Sequence, residues 1–206
     1  VYMKVLLING SPRKNGNTYI ALSEISRQLE KHGIESEIVW IGVKAVQGCI
    51  ACYQCVSKGQ CAFNDTLYQT VRERLKESDA LIVGSPTYYG GPNGSLCALL
   101  DRLFFSCKQD LVNKVWSSVA VCRRGGASTT FQRLNMYADM SNMIHATSQY
   151  WNIAYGCTPE ETRQDIEGLQ TMRTLADNVA WLLQCTRGRI DEIPEREKYA
   201  RYNYVR

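Results

Sequence analysis

The stretch that most constrains this chain lies near its start. An apolar run, Val5-Leu6-Leu7-Ile8, stops abruptly in Asn9-Gly10-Ser11-Pro12-Arg13-Lys14-Asn15-Gly16-Asn17-Thr18, and a helical pattern follows. That succession describes a buried strand whose carboxyl end opens into an anion-binding turn. Gly10 and Gly16 let backbone N–H groups approach an oxyanion. Ser11, Asn17 and Thr18 add neutral donors, and Arg13 adds a permanently charged fork. The helix that starts near Asn17 aims its positive end at the same spot. Two common phosphate loops do not fit. Five residues separate Gly10 from Gly16, and Asn17-Thr18 follows where a P-loop needs Lys-Ser/Thr; the dinucleotide pattern G-x-G-x-x-G is missing as well. A loop of hydroxyls and amides with one arginine suits a single terminal phosphate, such as that of FMN. The alternative is an ordinary strand–helix connection.

Strand and helix patterns alternate along the rest of the chain. Met3–Ile8 reads as strand one, and Thr18–His32 as a helix with Leu22, Ile25 and Leu29 on one face and Gly33 as its stop. Ile34–Ile41 reads as strand two, placed at an edge by Glu35 and Glu37, and 42–64 is a long loop. Asp65 or Thr66 caps a helix carrying Leu67, Val71 and Leu75. Ala80–Gly84 is short and wholly apolar, as a central parallel strand should be. Ser85–Gly94 reads as a loop before a helix to about Cys107. Val115–Cys122 is strand four, Arg123–Thr129 a loop, and a helix follows to about Met140. Strand five falls within Met143–Ile153, and Thr158 or Pro159 starts one long last helix.

Five strands alternating with helices predict an α/β, doubly wound, five-stranded parallel sheet, order 2-1-3-4-5, with helices on both faces. Its ligands bind beyond the carboxyl ends of strands one and three, where the strand order reverses. The expected organisation is one domain, 1–186, with the cysteine loop 42–64 inserted. The tail, 187–206, with Tyr199, Tyr202 and Tyr204, is either a solvated end or a subunit-docking segment.

A net charge of +4 over 206 residues suits an anionic cofactor and is too small for a nucleic-acid footprint. No apolar run reaches membrane-spanning length and no leader pattern stands out, so a soluble, cytoplasmic protein is expected, with no membrane partner. The two histidines read as structural, His32 in a last helical turn and His145 without a recognisable partner, so a histidine-based hydrolase is a poor reading. Nine cysteines without a secretion signal point to metal, redox or buried thiols.

Four of those cysteines, Cys49, Cys52, Cys55 and Cys61, form the pattern C-x2-C-x2-C-x5-C. Compact gaps let three thiolates wrap one face of a [4Fe–4S] cubane while the fourth closes it. The run is similar to that of ferredoxins, with a longer last gap and no following proline. Zinc, a disulfide and a redox C-x-x-C pair remain as alternatives. Cys97, Cys107, Cys122, Cys157 and Cys185 are scattered, and most read as buried small apolar residues. Two further loops look able to bind a ligand. Pro86, Thr87, Tyr88, Tyr89 and Gly90 leave the central strand with a flat aromatic face to offer. Arg123, Arg124, Gly125 and Gly126 leave strand four with a positive rim and close backbone access. Ordinary turns are the alternative for both.

These stretches, together with Leu100-Asp101-Arg102 and Tyr150-Trp151-Asn152-Ile153-Ala154-Tyr155-Gly156, make the chain resemble the iron–sulfur flavoproteins of the NADPH-dependent FMN reductase superfamily, over nearly everything up to Leu183. The resemblance implies a flavodoxin-like fold. It implies FMN phosphate on Ser11, Arg13, Asn15, Asn17 and Thr18, and the isoalloxazine beside Pro86, Thr87, Tyr88, Tyr89 and Gly90. It implies closure of the site by Arg124, Gly125 and Gly126, a [4Fe–4S] cluster on the four cysteines, and a homodimer or homotetramer that joins flavin and cluster at subunit contacts. Two positions depart from the family pattern. Asn64-Asp65 stands where two acidic residues are common, and Cys97 where a lysine is common.

Three functions compete. An enzyme would take hydride from NAD(P)H onto FMN and reduce a small-molecule acceptor such as a quinone, an azo or nitro compound, or free flavin. A carrier would exchange single electrons with a ferredoxin. A non-redox module would hold structural zinc. Four intact cysteines favour a one-electron route, which a pure hydride enzyme does not need.

Overall fold

The computed structural model describes residues 2–187, 189, 192–198 and 200. The expectation for Tyr199, Tyr202 and Tyr204 lies outside the described residues. In chain order the elements are β1 (Lys4–Asn9), α1 (Asn17–Lys31), β2 (Glu35–Trp40), α2 (Gln54–Lys58), α3 (Thr66–Glu77), β3 (Ala80–Tyr88) and β4 (Gly91–Pro92). There follow α4 (Gly94–Ser106), α5 (Lys108–Leu111), β5 (Val115–Cys122), α6 (Ala127–Asp139), β6 (Ile144–His145), β7 (Ile153–Tyr155), α7 (Pro159–Gln164) and α8 (Ile166–Arg187).

The sheet order is β2-β1-β3-β5-β6, with β7 also pairing with β5 and β4 folding back on β3. All pairings except β3–β4 are parallel. This is the expected 2-1-3-4-5 order of a flavodoxin-like sheet, its fifth position shared by two short strands. Successive residues of β1 face opposite sides, so Val5 and Leu7 join one core and Leu6 and Ile8 the other. The first core is closed by Leu22, Ile25 and Leu29 of α1 and Met172, Leu175 and Val179 of α8. The second is closed by Val71 and Leu75 of α3, Leu99 and Leu103 of α4, and Leu134 of α6. At the edge, Glu35 and Glu37 pair with Lys4, and Glu37 also with Arg74. Among the described residues no helix is long and apolar enough to cross a membrane.

Several local expectations are corrected. β3 runs past Gly84 to Tyr88 and turns back through β4, so the second loop is a hairpin. Its two turn residues, Tyr89 (φ 52°) and Gly90 (φ 76°), are both left-handed, as a type I′ turn requires. Residues 42–64 contain the short helix α2, and a short α5 follows α4. The third loop is only Arg123–Gly126, because α6 begins at Ala127. Strand five is interrupted because the buried Asn152 side chain takes over part of the pairing with β5. It donates to Ser117 Oγ (2.9 Å) and the Ser118 carbonyl (3.0 Å), and Ser148 Oγ donates back to it (2.7 Å). The last helix is two helices, divided at Asp165, whose carboxylate accepts the Tyr155 amide (2.7 Å) and the Gly168 amide (3.0 Å). His145 does have a partner, Asp139, at 2.9 Å. Of the scattered cysteines only Cys107 and Cys122 are buried; Cys97 is half-buried, and Cys157 and Cys185 are exposed.

Candidate functional site

The first loop is tied down by hydrogen bonds that run back to the buried Asn9 and Ser11. Asn9, the buried last residue of β1, accepts the Ser11 amide at 3.1 Å and donates to the Lys14 carbonyl at 2.9 Å. Ser11 Oγ accepts the Arg13 amide (3.1 Å), Gly16 N–H bonds the Arg13 carbonyl (3.1 Å), and Trp40 Nε1 at the end of β2 donates to the Ser11 carbonyl (2.7 Å). Gly10 N–H bonds the Gly84 carbonyl at 2.9 Å, which sets this loop beside β3. The N-cap of α1 is Gly16, and among the described residues no side chain caps the helix. Its first-turn N–H groups therefore point at the loop as an anion site would need them.

The expected phosphate ligands divide by position. Ser11 and Thr18 are buried, Arg13 and Asn15 are exposed, and Asn17 is half-buried with its amide donating to the Gly156 carbonyl at the end of β7 (2.6 Å). The Thr18 methyl packs so closely on β3 that a Cβ at Gly84 would lie 2.8 Å from it.

The second and third loops touch. Gly126 is left-handed (φ 83°), and a Cβ there would lie 3.0 Å from Gly90 Cα and 3.2 Å from Thr87 Cγ2. Thr129 Oγ1 on α6 donates to the Gly90 carbonyl at 2.7 Å. Pro86 and Thr87 are half-buried, and Thr87 Oγ1 is enclosed without a hydrogen-bond partner among the described residues. A buried hydroxyl left in that state is costly by about 1–3 kcal/mol. Tyr88 is 46% exposed and Tyr89 fully exposed on the turn, where a left-handed aromatic residue stores backbone strain. Arg124 and Gly125 are exposed beside them. The three loops thus stand side by side at one edge of the sheet, around the start of α1 and the orphaned Thr87 hydroxyl.

The four cysteines converge elsewhere. After β2 the chain curls through two left-handed non-glycine residues, Ala51 (φ 54°) and Tyr53 (φ 58°), and returns through Gly59 (φ 64°). Cys49, Cys52, Cys55 and Cys61 then line one pocket with Ile50, Tyr53, Phe63, Phe105 and Arg102. Burial pushes the Cys55 thiol up, and the neighbouring Cys61, Cys49 and Cys52 add to the rise. Among the described residues no three His, Cys, Asp or Glu side chains close on a point where a single ion would sit.

Arg102, which the sequence reading passed over as a site residue, is the base of this pocket. Its side chain is wholly buried, with Nε 3.4 Å from Cys61 Sγ, Nη1 3.2 Å from the Gln47 carbonyl, and Nη2 on the Phe63 carbonyl and on Asp65 Oδ2 (2.5 Å). The guanidinium lies over the Tyr68 ring at 4.9 Å. Asp65 also caps α3 through the Tyr68 amide; burial works against its ionisation, but that amide and Arg102 hold its carboxyl below the usual range. Asn9, Trp40 and Arg102 were the missed residues. For Asn9 and Arg102 the local signal was a polar or charged side chain among apolar neighbours; Trp40 read as one more apolar strand residue.

The sheet order and the ligand-ready loops at its switch point define a flavodoxin-like flavoprotein scaffold. Solved structures agree on the fold. RosB, solved with bound 8-demethyl-8-formylriboflavin-5′-phosphate, superposes with a TM-score of 0.70 at 18% identity over 99% of this chain and 92% of its own. An archaeal flavodoxin does so at 0.60 and 14% identity, over 88% and 99%. The sequence goes further. The profile of NADPH-dependent FMN reductase matches residues 3–157. An iron–sulfur flavoprotein of Methanocaldococcus jannaschii is 35% identical over 186 residues, covering 86% of this chain and 96% of the relative. One of Methanosarcina thermophila is 28% identical over 188 residues, covering 88% and 96%. The chain belongs to the NADPH-dependent FMN reductase family, and within it to the iron–sulfur flavoproteins. That membership makes it an oxidoreductase of flavodoxin-like fold.

Proposed function

We propose that this protein is an FMN-dependent electron-transfer oxidoreductase that exchanges hydride with NAD(P)H and single electrons through a [4Fe–4S] cluster. FMN would supply the step between two-electron and one-electron chemistry, and the cluster a one-electron relay. The observation that carries the reading is the convergence of four thiols on one pocket within a fold whose three carboxyl-edge loops suit a flavin phosphate. The uncapped start of α1, with Ser11, Arg13, Asn15, Asn17 and Thr18 around it, would hold the phosphate. Thr87, its hydroxyl awaiting a partner, would meet the ring with Pro86, Tyr88, Tyr89 and Gly90. Arg124, Gly125 and Gly126 would close the rim. Cys49, Cys52, Cys55 and Cys61 would hold the cluster.

The two sites lie at opposite ends of α4. Gly94 follows the flavin hairpin, and Arg102 under the cysteines is eight residues on, about 12 Å along the helix axis at ~1.5 Å per residue. The family resemblance, and not that spacing, is what supports a homodimer or homotetramer in which one subunit's cluster approaches the partner's flavin. The electron acceptor would be a small molecule or a ferredoxin.

Anaerobic reconstitution with iron, sulfide and FMN tests the reading. Flavin bands with a broad brown shoulder, and bleaching by NADH or NADPH, are expected. Cys55→Ala should keep FMN but lose most iron and sulfide. Uptake of one zinc and no iron by the wild type would replace the cluster with structural zinc. A flavin reduced by ferredoxin but not by NAD(P)H would make the protein a carrier.

A further inference from the structure

Arg102 touches both ends of the cysteine loop. Gln47 lies two residues before Cys49, and Phe63 two residues after Cys61. The guanidinium donates to both carbonyls and so closes the neck of the loop from beneath. Its remaining edge, Nε–H, faces Cys61 Sγ at 3.4 Å. The geometry uses the planar fork in three directions at once, which a lysine ammonium cannot reproduce. The side chain is 0% exposed, so water cannot substitute for it, whereas its carboxylate partner Asp65 is 47% exposed and can return to solvent.

We propose that Arg102 is a positioning residue for the cluster: it clasps the two ends of the cysteine loop and, through the Nε–H bond to Cys61 Sγ, draws the cluster's reduction potential upward. The proposal rests on the reading that the four cysteines hold a [4Fe–4S] cluster. Its physical basis is charge. One added electron makes the cluster and its thiolates one unit more negative. A fixed cation with an N–H donor on a ligating sulfur favours that state. Hydrogen bonds to the sulfurs, net charge and solvent exposure are the levers that set such potentials. Asp65 offsets part of the charge through its bond to Nη2 and leaves the Nε–H bond to the sulfur in place.

The test compares wild type with Arg102→Gln and Arg102→Lys, all reconstituted anaerobically with iron, sulfide and FMN. Redox titration reads the midpoints of cluster and flavin separately. The Arg102→Gln cluster should move to a more negative potential while the FMN midpoint stays, and Arg102→Lys should fall between Gln and wild type. An unmoved cluster midpoint in Arg102→Gln, or equal shifts of cluster and flavin, overturns the tuning role. A second arm needs no cluster. In iron-free protein, iodoacetamide labelling of Cys61, normalised to Cys157, and protease cleavage within 47–63 should both rise several-fold in Arg102→Gln. Unchanged rates in variants that still bind FMN overturn the clasp. If wild type takes up no iron or sulfide, the cluster reading and the tuning role fall together, while the labelling arm still decides the clasp.

Discussion

Gly84→Ala probes how the sheet positions the phosphate loop. Gly84 lies within β3, beneath the start of α1. A Cβ there would stand 2.8 Å from Thr18 Cγ2 and 3.0 Å from both Leu22 Cδ1 and Cγ. Thr18 and Leu22 are buried, so neither can swing into solvent. Forcing a methyl into a packed core costs about 1–3 kcal/mol. The alanine returns about 0.4–1 kcal/mol by restricting the unfolded chain. The net loss is about 1–2 kcal/mol, or roughly 2–8 °C in Tm at ~2–4 °C per kcal/mol for a chain of this size. The strain also falls on the segment that carries Gly16 and Asn17, so α1 must lift at the proposed phosphate site. FMN affinity should drop about tenfold, equivalent to about 1.4 kcal/mol. Urea unfolding of FMN-free protein and flavin-fluorescence titration read the two effects. Gly94→Ala is the control: among the described residues its Cβ meets nothing within 4 Å in the first turn of α4, and it should stabilise by up to about 1 kcal/mol. A Gly84→Ala protein that melts at or above wild type, or a Gly94→Ala protein that loses as much, refutes the steric reasoning.

Arg13→Ala should weaken FMN by about 1.5 kcal/mol, the lower end of the range for a charged hydrogen bond because Arg13 is exposed; riboflavin, without the phosphate, should lose far less, and equal losses would exclude Arg13 as the phosphate reader. Thr87→Val removes the orphaned hydroxyl and keeps the shape, so FMN-free protein should gain stability while FMN binding weakens by about 0.5–1.5 kcal/mol; titration showing unchanged affinity would detach Thr87 from the flavin. Asp65 has a folded-state pKa below its unfolded value, so its contribution is complete above about pH 3.9 and is lost as the pH falls through the lower folded value. The stability advantage of wild type over Asp65→Asn, read as urea midpoints, should therefore shrink in that acid range and persist at neutral pH.

The elements most legible in sequence were those whose pattern is local. Val115–Cys122 is a strand over its full expected span because eight consecutive residues are buried on both faces of the sheet. The alternation of such runs with amphipathic helices determined the fold class, and the tight cysteine spacing marked the metal-binding candidate. The glycines of the first loop and the Asp65 cap were equally local. Tertiary structure decided what depended on distant partners. Strand five breaks because Asn152 reaches Ser117, 35 residues away, and Asn17 turns its amide to Gly156, 139 residues away. The second loop became a hairpin that meets Gly126 only because β3 and β5 lie side by side. Arg102 was only the last residue of the Leu100-Asp101-Arg102 stretch until the fold set it against Cys61, 41 residues back, and Gln47, 55 residues back. Periodicity reports which face of an element is buried, because that depends on geometry repeated every few residues. Which groups meet there depends on packing between elements, and no local pattern carries it.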